Sequence, residues 1–288
     1  LPQDGGKAAD FDGDGVADLV TGVLDTFQIR FGVSNGSLFH DTADVIISLP
    51  VGEQLPGPVG SAAFAIGDVD GDPAGHNDIA FLSSVQTDTL IVFPGNGDGS
   101  FQDTTTITLP GMPMLDPVTS KVTVADVTGD SDNDVLITSI EGTQVFAGNG
   151  DGTYQAAQML NLPGGFPFSR VPDSGIAVGD VTGDGHNDIL VPVNRAMANA
   201  DGFQLYVGNG DGTFQNGDEL PLPSASSASF FPPGVTVSTV DIENDGTHEL
   251  IVAGSGPLSV LACDDDSALS RYLPHFGIYA HLEGEDAL

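Results

Sequence analysis

The stretch Asp10-Phe11-Asp12-Gly13-Asp14-Gly15-Val16-Ala17-Asp18 places carboxylates at the first, third, fifth and ninth positions of a nine-residue loop, with glycine at the sixth. Asp and Gly are turn residues, and this loop lies between short apolar runs, so it predicts a tight connection between two strands. Alternate residues of a turning loop can converge on one point. Oxygen donors from positions 1, 3, 5 and 9, with the carbonyl of position 7, suit a hard cation, and calcium takes about 6 to 8 oxygen ligands. The glycine meets the sharp turn that such a site needs. An EF-hand is excluded, because its twelfth position requires Glu and Thr21 stands there in this copy.

The loop returns at Asp68, Asp126, Asp180 and Asp241, giving spacings of 58, 58, 54 and 61 residues, which marks a repeat architecture. Each unit has the same internal order: an apolar lead-in, the acidic loop, and a second apolar run such as Asp188-Ile-Leu-Val-Pro-Val. A third run follows, such as Thr89-Leu-Ile-Val-Phe93, and ends in Gly-Asn-Gly-Asp-Gly with an aromatic behind it, Phe101, Tyr154 or Phe214. Asn-Gly and Asp-Gly supply the positive φ of tight hairpins. Four antiparallel strands per unit, without helical periodicity, predict an all-β chain: one β-propeller domain over 1–288, of five four-stranded blades near 5–50, 60–110, 120–163, 174–223 and 234–274. The fifth blade is degenerate, because Cys263-Asp-Asp-Asp266 stands where the other units have the glycine-rich turn. Residues 275–288 are expected to act as a closing strand or tail.

Position by position, the first loop offers Asp10, Asp12, Asp14 and Asp18, with the Val16 carbonyl. The second offers Asp68, Asp70, Asp72 and Asp78, with His76, and carries an inserted Pro73-Ala74. The third offers Asp126, Thr128, Asp130 and Asp134, with Asp132, and has Ser131 in place of the glycine. The fourth offers Asp180, Thr182, Asp184 and Asp188, with His186. The fifth offers Asp241, Glu243, Asp245 and Glu249, with Thr247. Up to five calcium ions are expected, with the first and fourth loops filling most reliably. His76, His186 and His248 are expected to face solvent rather than bind zinc.

Composition agrees with metal loops and excludes several partners. Aspartate outnumbers glutamate, as in ligand loops rather than helices, where Glu is the better former. The net charge of −35 opposes binding to nucleic acid or anionic lipid. Cys263 is the one cysteine, so no intrachain disulfide forms. No apolar run is long enough to span a membrane.

The acidic loop and the Gly-Asn-Gly-Asp-Gly-Thr/Ser-aromatic hairpin resemble FG-GAP and VCBS-type repeats, the blades of integrin alpha-chain propellers and of many secreted microbial proteins. The resemblance covers Asp10 to about Leu273. It implies a calcium-loaded, secreted or cell-surface propeller used for adhesion or recognition of a protein or glycan, or one attached to a carbohydrate-active enzyme. Integrin-like propellers have seven blades, so the alternative is an excerpt of a seven-bladed ring. Leu1-Pro2 and Leu273-Pro274 match the Leu-Pro that opens each inter-blade linker, which favours closure at five.

In an up-and-down blade the acidic loops and the glycine-rich hairpins emerge on one face, and the longer linkers on the other. Recognition is usually carried by variable loops on a rigid scaffold. Phe166, Phe168, Arg170, Phe230 and Phe231, with Met112 and Met114, are therefore the candidate ligand contacts, although the same aromatics could plug the linkers onto the blade cores. Gly32-Val-Ser34-Asn-Gly36 matches the nucleophile-elbow pattern, but it aligns with the hairpins of the other units and no helix follows, so no catalytic residue is assigned. Self-association as a surface or filament protein, and a polysaccharide lyase or hydrolase, are the competing functions.

Overall fold

The computed structural model describes residues 6–23, 25–33, 39–55, 64–86, 88–110, 120–139, 142–160, 176–195, 200–221, 236–241, 246–253 and 259–261. The described secondary structure is β-strand, in five antiparallel sheets that follow one another along the chain. The first sheet holds β1 (Gly6–Ala9), β2 (Asp18–Val23), β3 (Thr26–Arg30) and β4 (Val45–Ser48). The second holds β5 (Phe64–Gly67), β6 (Asp78–Leu82), β7 (Thr89–Phe93) and β8 (Thr105–Thr108). The third holds β9 (Lys121–Ala125), β10 (Asp134–Ser139), β11 (Gly142–Phe146) and β12 (Gln158–Leu160). The fourth holds β13 (Ala177–Gly179), β14 (Asp188–Arg195), β15 (Ala200–Gly208) and β16 (Phe214–Pro221). The fifth shows three strands, β17 (Thr236–Val240), β18 (Glu249–Ala253) and β19 (Ser259–Leu261).

Every sheet is an up-and-down meander, so strand order in space equals order in sequence. Register follows from the period of two. Lys7, Val20, Ile29 and Val45 stand opposite one another across the first sheet and share one face. That face packs on the second sheet through Val20, Phe27, Ile29, Phe64, Phe81 and Phe93. Phe27 meets Phe64 edge-on with ring centroids 5.1 Å apart, a favoured aromatic geometry. A second core joins the second and third sheets through Val92, Ile107, Val122, Ile137 and Phe146, and a third core joins the third and fourth through Leu136, Val145, Ile189 and Tyr206.

The second sheet is covered on both sides, and this explains why Asp78–Leu82 and Thr89–Phe93 are apolar almost without interruption and buried throughout. Strand β4 alternates between half-buried and exposed. The innermost strands also meet, β5 beside β9 and β13 beside β17.

The hairpins differ from the sequence expectation in one respect. In the second and third sheets the aromatic does not open the last strand; Gly95 pairs with Phe101, and Gly148 with Tyr154, as isolated bridges, and β8 and β12 begin later. The aromatic is drawn away by the neighbouring sheet. Phe101 packs against Phe11 at 5.5 Å between centroids, and the Tyr154 hydroxyl donates to the Val69 carbonyl at 2.9 Å. Residues 262–288, with Cys263 and the closing tail, lie outside the described residues.

Candidate metal centre

The first aspartate of each loop builds the turn. Asp10 Oδ1 accepts from Gly13 N at 2.7 Å and its Oδ2 from Gly15 N at 2.9 Å. Asp126 does the same for Gly129 and Ser131, and Asp180 for Gly183 and Gly185. Gly15 and Gly185 hold φ of +81° and +86°, the left-handed region open to glycine. In the fifth loop Gly246 N donates to Asp241 Oδ2 at 2.9 Å.

The ninth-position acid joins the loop to the rest of its sheet. Asp78, with no exposed surface, accepts from Val69 N and Asp70 N on one oxygen and from Gly95 N on the other. Asp18, Asp134 and Asp188 repeat the pattern with Gly32, Gly148 and Gly208, the glycines that open the hairpins. Each of these carboxylates therefore ties the acidic loop and the hairpin to one buried point. Sequence spacing had marked them as ligands alone.

Carboxylate oxygens of Asp10, Asp12 and Asp18 lie within 4.8 Å of one another, as do those of Asp68, Asp70 and Asp78. These two clusters could hold a metal ion. Among the described residues the triple carboxylate convergence is in the first and second loops. Thr182 cannot contribute a carboxylate at the third position. The Pro73-Ala74 insertion of the second loop folds over Asp72, whose carboxylate takes Ala74 N, Gly75 N and the His76 ring, and the Asp68, Asp70 and Asp78 cluster forms without it.

Electrostatics make the clusters costly when empty of cation. Desolvation, with the charges of Asp18, Asp14 and Asp10, pushes the Asp12 carboxyl above the usual range. Desolvation also raises Asp68, Asp134 and Asp188, and lifts Asp78 to about 6. Asp72 runs the other way: desolvation opposes it, but donation from Ala74 N and the His76 ring prevails and lowers it.

The residues fit a hard cation. Besides the converging carboxylates, Thr128 Oγ1 and Thr182 Oγ1 are buried without a hydrogen bond of good geometry, at the loop position that Asp12 and Asp70 fill elsewhere. Thr182 nonetheless lies near enough to Asp188 to lower its pKa. At Thr128 a buried oxygen left without a partner is costly, and an oxygen-seeking cation would satisfy it. Asp10, Asp12 and Asp18, and likewise Asp68, Asp70 and Asp78, would hold such an ion. It would supply positive charge where carboxylates crowd.

The first four loops also face the next sheet. Gly99 N donates to Phe11 O at 2.8 Å, bringing the second hairpin onto the first loop. Asn77 Nδ2 donates to Asp10 O, Asn133 Nδ2 to Asp68 O and Asn187 Nδ2 to Asp126 O, at 3.0, 3.1 and 2.7 Å. The residue before the ninth-position acid thus fastens each loop to the one before it. In the fifth sheet His248 N reaches Asp180 O instead. Sequence reading missed this role, although Asn at the eighth position of the second, third and fourth loops was visible as a signal.

The remaining predicted positions fall as follows. Val16 N and His186 N donate to Asp14 Oδ1 and Asp184 Oδ1, and Asp132 N to Asp130 Oδ1, each closing a short side-chain turn. Asp241 is half-buried and Glu249 is buried, and both, with Thr247, engage other groups. His186 is exposed as expected, but His76 is half-buried against Asp72 and His248 has a buried Nδ1, because neighbouring loops and hairpins cover them. Glu243, Asp245, Ser34, Met112, Met114, Phe166, Phe168, Arg170, Phe230 and Phe231 lie outside the described residues.

On the side away from the loops, sequence reading passed over Glu53. It is buried in the linker between the first two sheets and accepts from Ser83 Oγ at 2.6 Å and Ser84 N at 2.7 Å. The clamp fixes that linker to the turn between β6 and β7.

Two stretches, 74–137 and 126–191, match the FG-GAP-like repeat. No curated protein matches the sequence. Among solved structures, a lectin of Agrocybe aegerita that recognises non-reducing terminal N-acetylglucosamine is similar at 18% identity and TM-score 0.52, over 90% of this chain and 76% of the lectin. The Photorhabdus luminescens Tc holotoxin pore is similar at 18% identity and TM-score 0.52, over 87% of this chain, which spans only 11% of the toxin chain. The V. cholerae biofilm matrix protein Bap1 aligns with 89% of this chain and 36% of its own at 18% identity and TM-score 0.34. Residues 74–191 thus carry two FG-GAP-like repeats, within a chain of antiparallel sheets that has a β-propeller-like fold.

Proposed function

We propose that the chain is a calcium-braced β-propeller of five blades, secreted or at the cell surface, that recognises a protein or glycan. Calcium has a structural role in this reading. The observation that carries it is the position of the acidic loops: each of the first four is bonded to the loop of the next sheet, so neutralising its carboxylates strengthens the seam between blades. Partner contacts then fall to the opposite face, to which an up-and-down blade directs its longer linkers. The propeller-like fold shared with a glycan-binding lectin supports that assignment at the level of architecture. No catalytic role is proposed.

Two measurements test it. Thermal unfolding with calcium against chelator should show a higher Tm with calcium, and an unchanged Tm would reject the bracing role. A glycan and matrix-protein array probed with the calcium-loaded chain should show selective binding that substitutions in the acidic loops alter only through stability. Absence of any selective binding would reject recognition and leave bracing intact.

A further inference from the structure

Asn is followed by Gly at five places in the chain, and three of them occupy one position of the same turn. Asn96-Gly97, Asn149-Gly150 and Asn209-Gly210 sit in the glycine-rich hairpins of the second, third and fourth sheets. Gly97, Gly150 and Gly210 hold φ of +72°, +69° and +70°, and the asparagines before them are exposed. Each of these Asn N–H groups donates to the carbonyl of Ser100, Thr153 or Thr213 at 3.0 Å. Backbone and solvent access are thus alike in the three. The other two pairs stand apart: Asn216-Gly217 lies inside β16, and Asn35-Gly36 lies outside the described residues.

The side-chain amides differ. Asn149 is held at both ends: its Nδ2 donates to Thr153 Oγ1 at 2.9 Å, and its Oδ1 accepts from Gln155 Nε2 at 3.3 Å. Asn209 is held likewise, by Thr213 Oγ1 at 2.8 Å and Gln215 Nε2 at 2.6 Å. Asn96 has only the first of these bonds, Nδ2 to Ser100 Oγ at 2.9 Å. Gln102 follows Phe101 as Gln155 follows Tyr154, yet among the described residues nothing donates to Asn96 Oδ1. The remaining anchor is also looser, because Ser lacks the branch that stiffens χ1 in Thr.

An Asn-Gly peptide can react with itself, since Gly has no Cβ to hinder the approach. The Gly nitrogen loses its proton to solvent base and bonds to Asn Cγ, the Cγ–Nδ2 bond breaks, and the amide nitrogen leaves as ammonia. Water then opens the cyclic imide at either carbonyl, giving Asp or isoaspartate. The attack requires the side chain to turn until Cγ faces that nitrogen. An amide tied at both ends resists the turn more than one tied at a single end. We propose that Asn96 is a site of spontaneous deamidation in the folded chain, and that Gln155 and Gln215 protect Asn149 and Asn209 from the same reaction. The product stands at the first seam. Gly99 N of this hairpin donates to Phe11 O, and the Gly97 carbonyl lies 3.0 Å from where a Cβ on Gly13 would stand. Isoaspartate adds a carboxylate and a backbone methylene there, beside the first acidic loop. The reaction does not depend on calcium binding.

The test ages the full chain in mildly alkaline buffer with calcium present and follows the three sites by peptide mapping, which separates the Asn, Asp and isoaspartate forms. Asn96 should convert about fivefold faster than Asn149 or Asn209, the factor that one net hydrogen bond supplies. Gln155→Ala, a change at an exposed residue, should raise the Asn149 rate toward that of Asn96 and leave Asn209 as it was. In urea the three sites should convert alike, because each lies in Gly-Asn-Gly-Asp-Gly. Equal rates in the folded chain, an Asn149 rate that Gln155→Ala leaves unchanged, or the same lead for Asn96 in urea would each overturn the proposal.

Discussion

Ser131 is the residue at which the repeat departs most from its own rule. It holds φ of +75° where the first and fourth loops have glycine, and its N–H makes the same bond to the first aspartate, Ser131 N to Asp126 Oδ2 at 2.9 Å. The bond is kept at the expense of backbone strain, about 1 to 2 kcal/mol for a residue with a Cβ. Ser131→Gly is therefore expected to raise stability by about 1 kcal/mol in urea unfolding, with an unchanged m value. Asp78 is the opposite case. Replacing it with Ala leaves Val69, Asp70 and Gly95 N–H groups without an acceptor, and a loss of about 3 kcal/mol or more is expected. Asp78→Asn retains one acceptor oxygen and should lose less. If both cost the same in chelator, the ninth-position acid does not act through its two sets of hydrogen bonds.

Among the elements, the seam between sheets carries the interest. Gly15 and Gly71 both hold positive φ, +81° and +70°, but their surroundings differ. A Cβ on Gly15 meets nothing within 4 Å, whereas one on Gly71 would lie 2.7 Å from the Gly150 backbone in the next sheet. Gly15→Ala should cost only the backbone term, about 1 to 2 kcal/mol, and Gly71→Ala should cost more because the third hairpin must withdraw. Hydrogen exchange at 148–153 tells them apart: it should rise in the Gly71 variant and stay as before in the Gly15 variant. Asn133→Ala removes the bond to Asp68 O and is expected to cost about 1 kcal/mol, with faster exchange in the second acidic loop.

At the scale of the whole molecule the carboxylates decide how stability depends on pH. Asp12, Asp68, Asp78, Asp134 and Asp188 all have raised pKa values in the fold, Asp78 reaching about 6. A group that binds its proton more tightly when folded contributes stability below its unfolded pKa, near 4 for Asp, and that contribution is lost as pH rises through the folded value. In chelator, the chain is therefore expected to lose stability between about pH 4 and pH 6, with self-repulsion from the net charge of −35 acting in the same sense. Calcium requires ionised ligands, so its stabilisation grows as pH rises. Melting curves from pH 4 to 8 should slope downward in chelator and level or reverse with calcium. The same slope under both conditions would count against cation binding at these loops.

The repeat, the strand order within each sheet and the acidic loops were legible in the sequence because each is local. A period of two, a glycine at a positive-φ turn and oxygen residues at alternate positions leave marks within about ten residues. The triple carboxylate clusters of the first two loops were legible in part: spacing named Asp10, Asp12, Asp18, Asp68, Asp70 and Asp78, but not which of the loop acids converge. Only the folded chain shows Pro73-Ala74 closing over Asp72 and leaving the other three acids together. Long-range pairing was not legible. The bonds from Asn77, Asn133 and Asn187 cross 67, 65 and 61 residues, the Glu53 clamp crosses about thirty, and the seat of Lys7 over the Phe64 ring depends on how the first two sheets pack. The sequence determined the unit and its turn chemistry through local backbone preference; tertiary structure alone decided what each unit touches, because contact between sheets depends on how they pack.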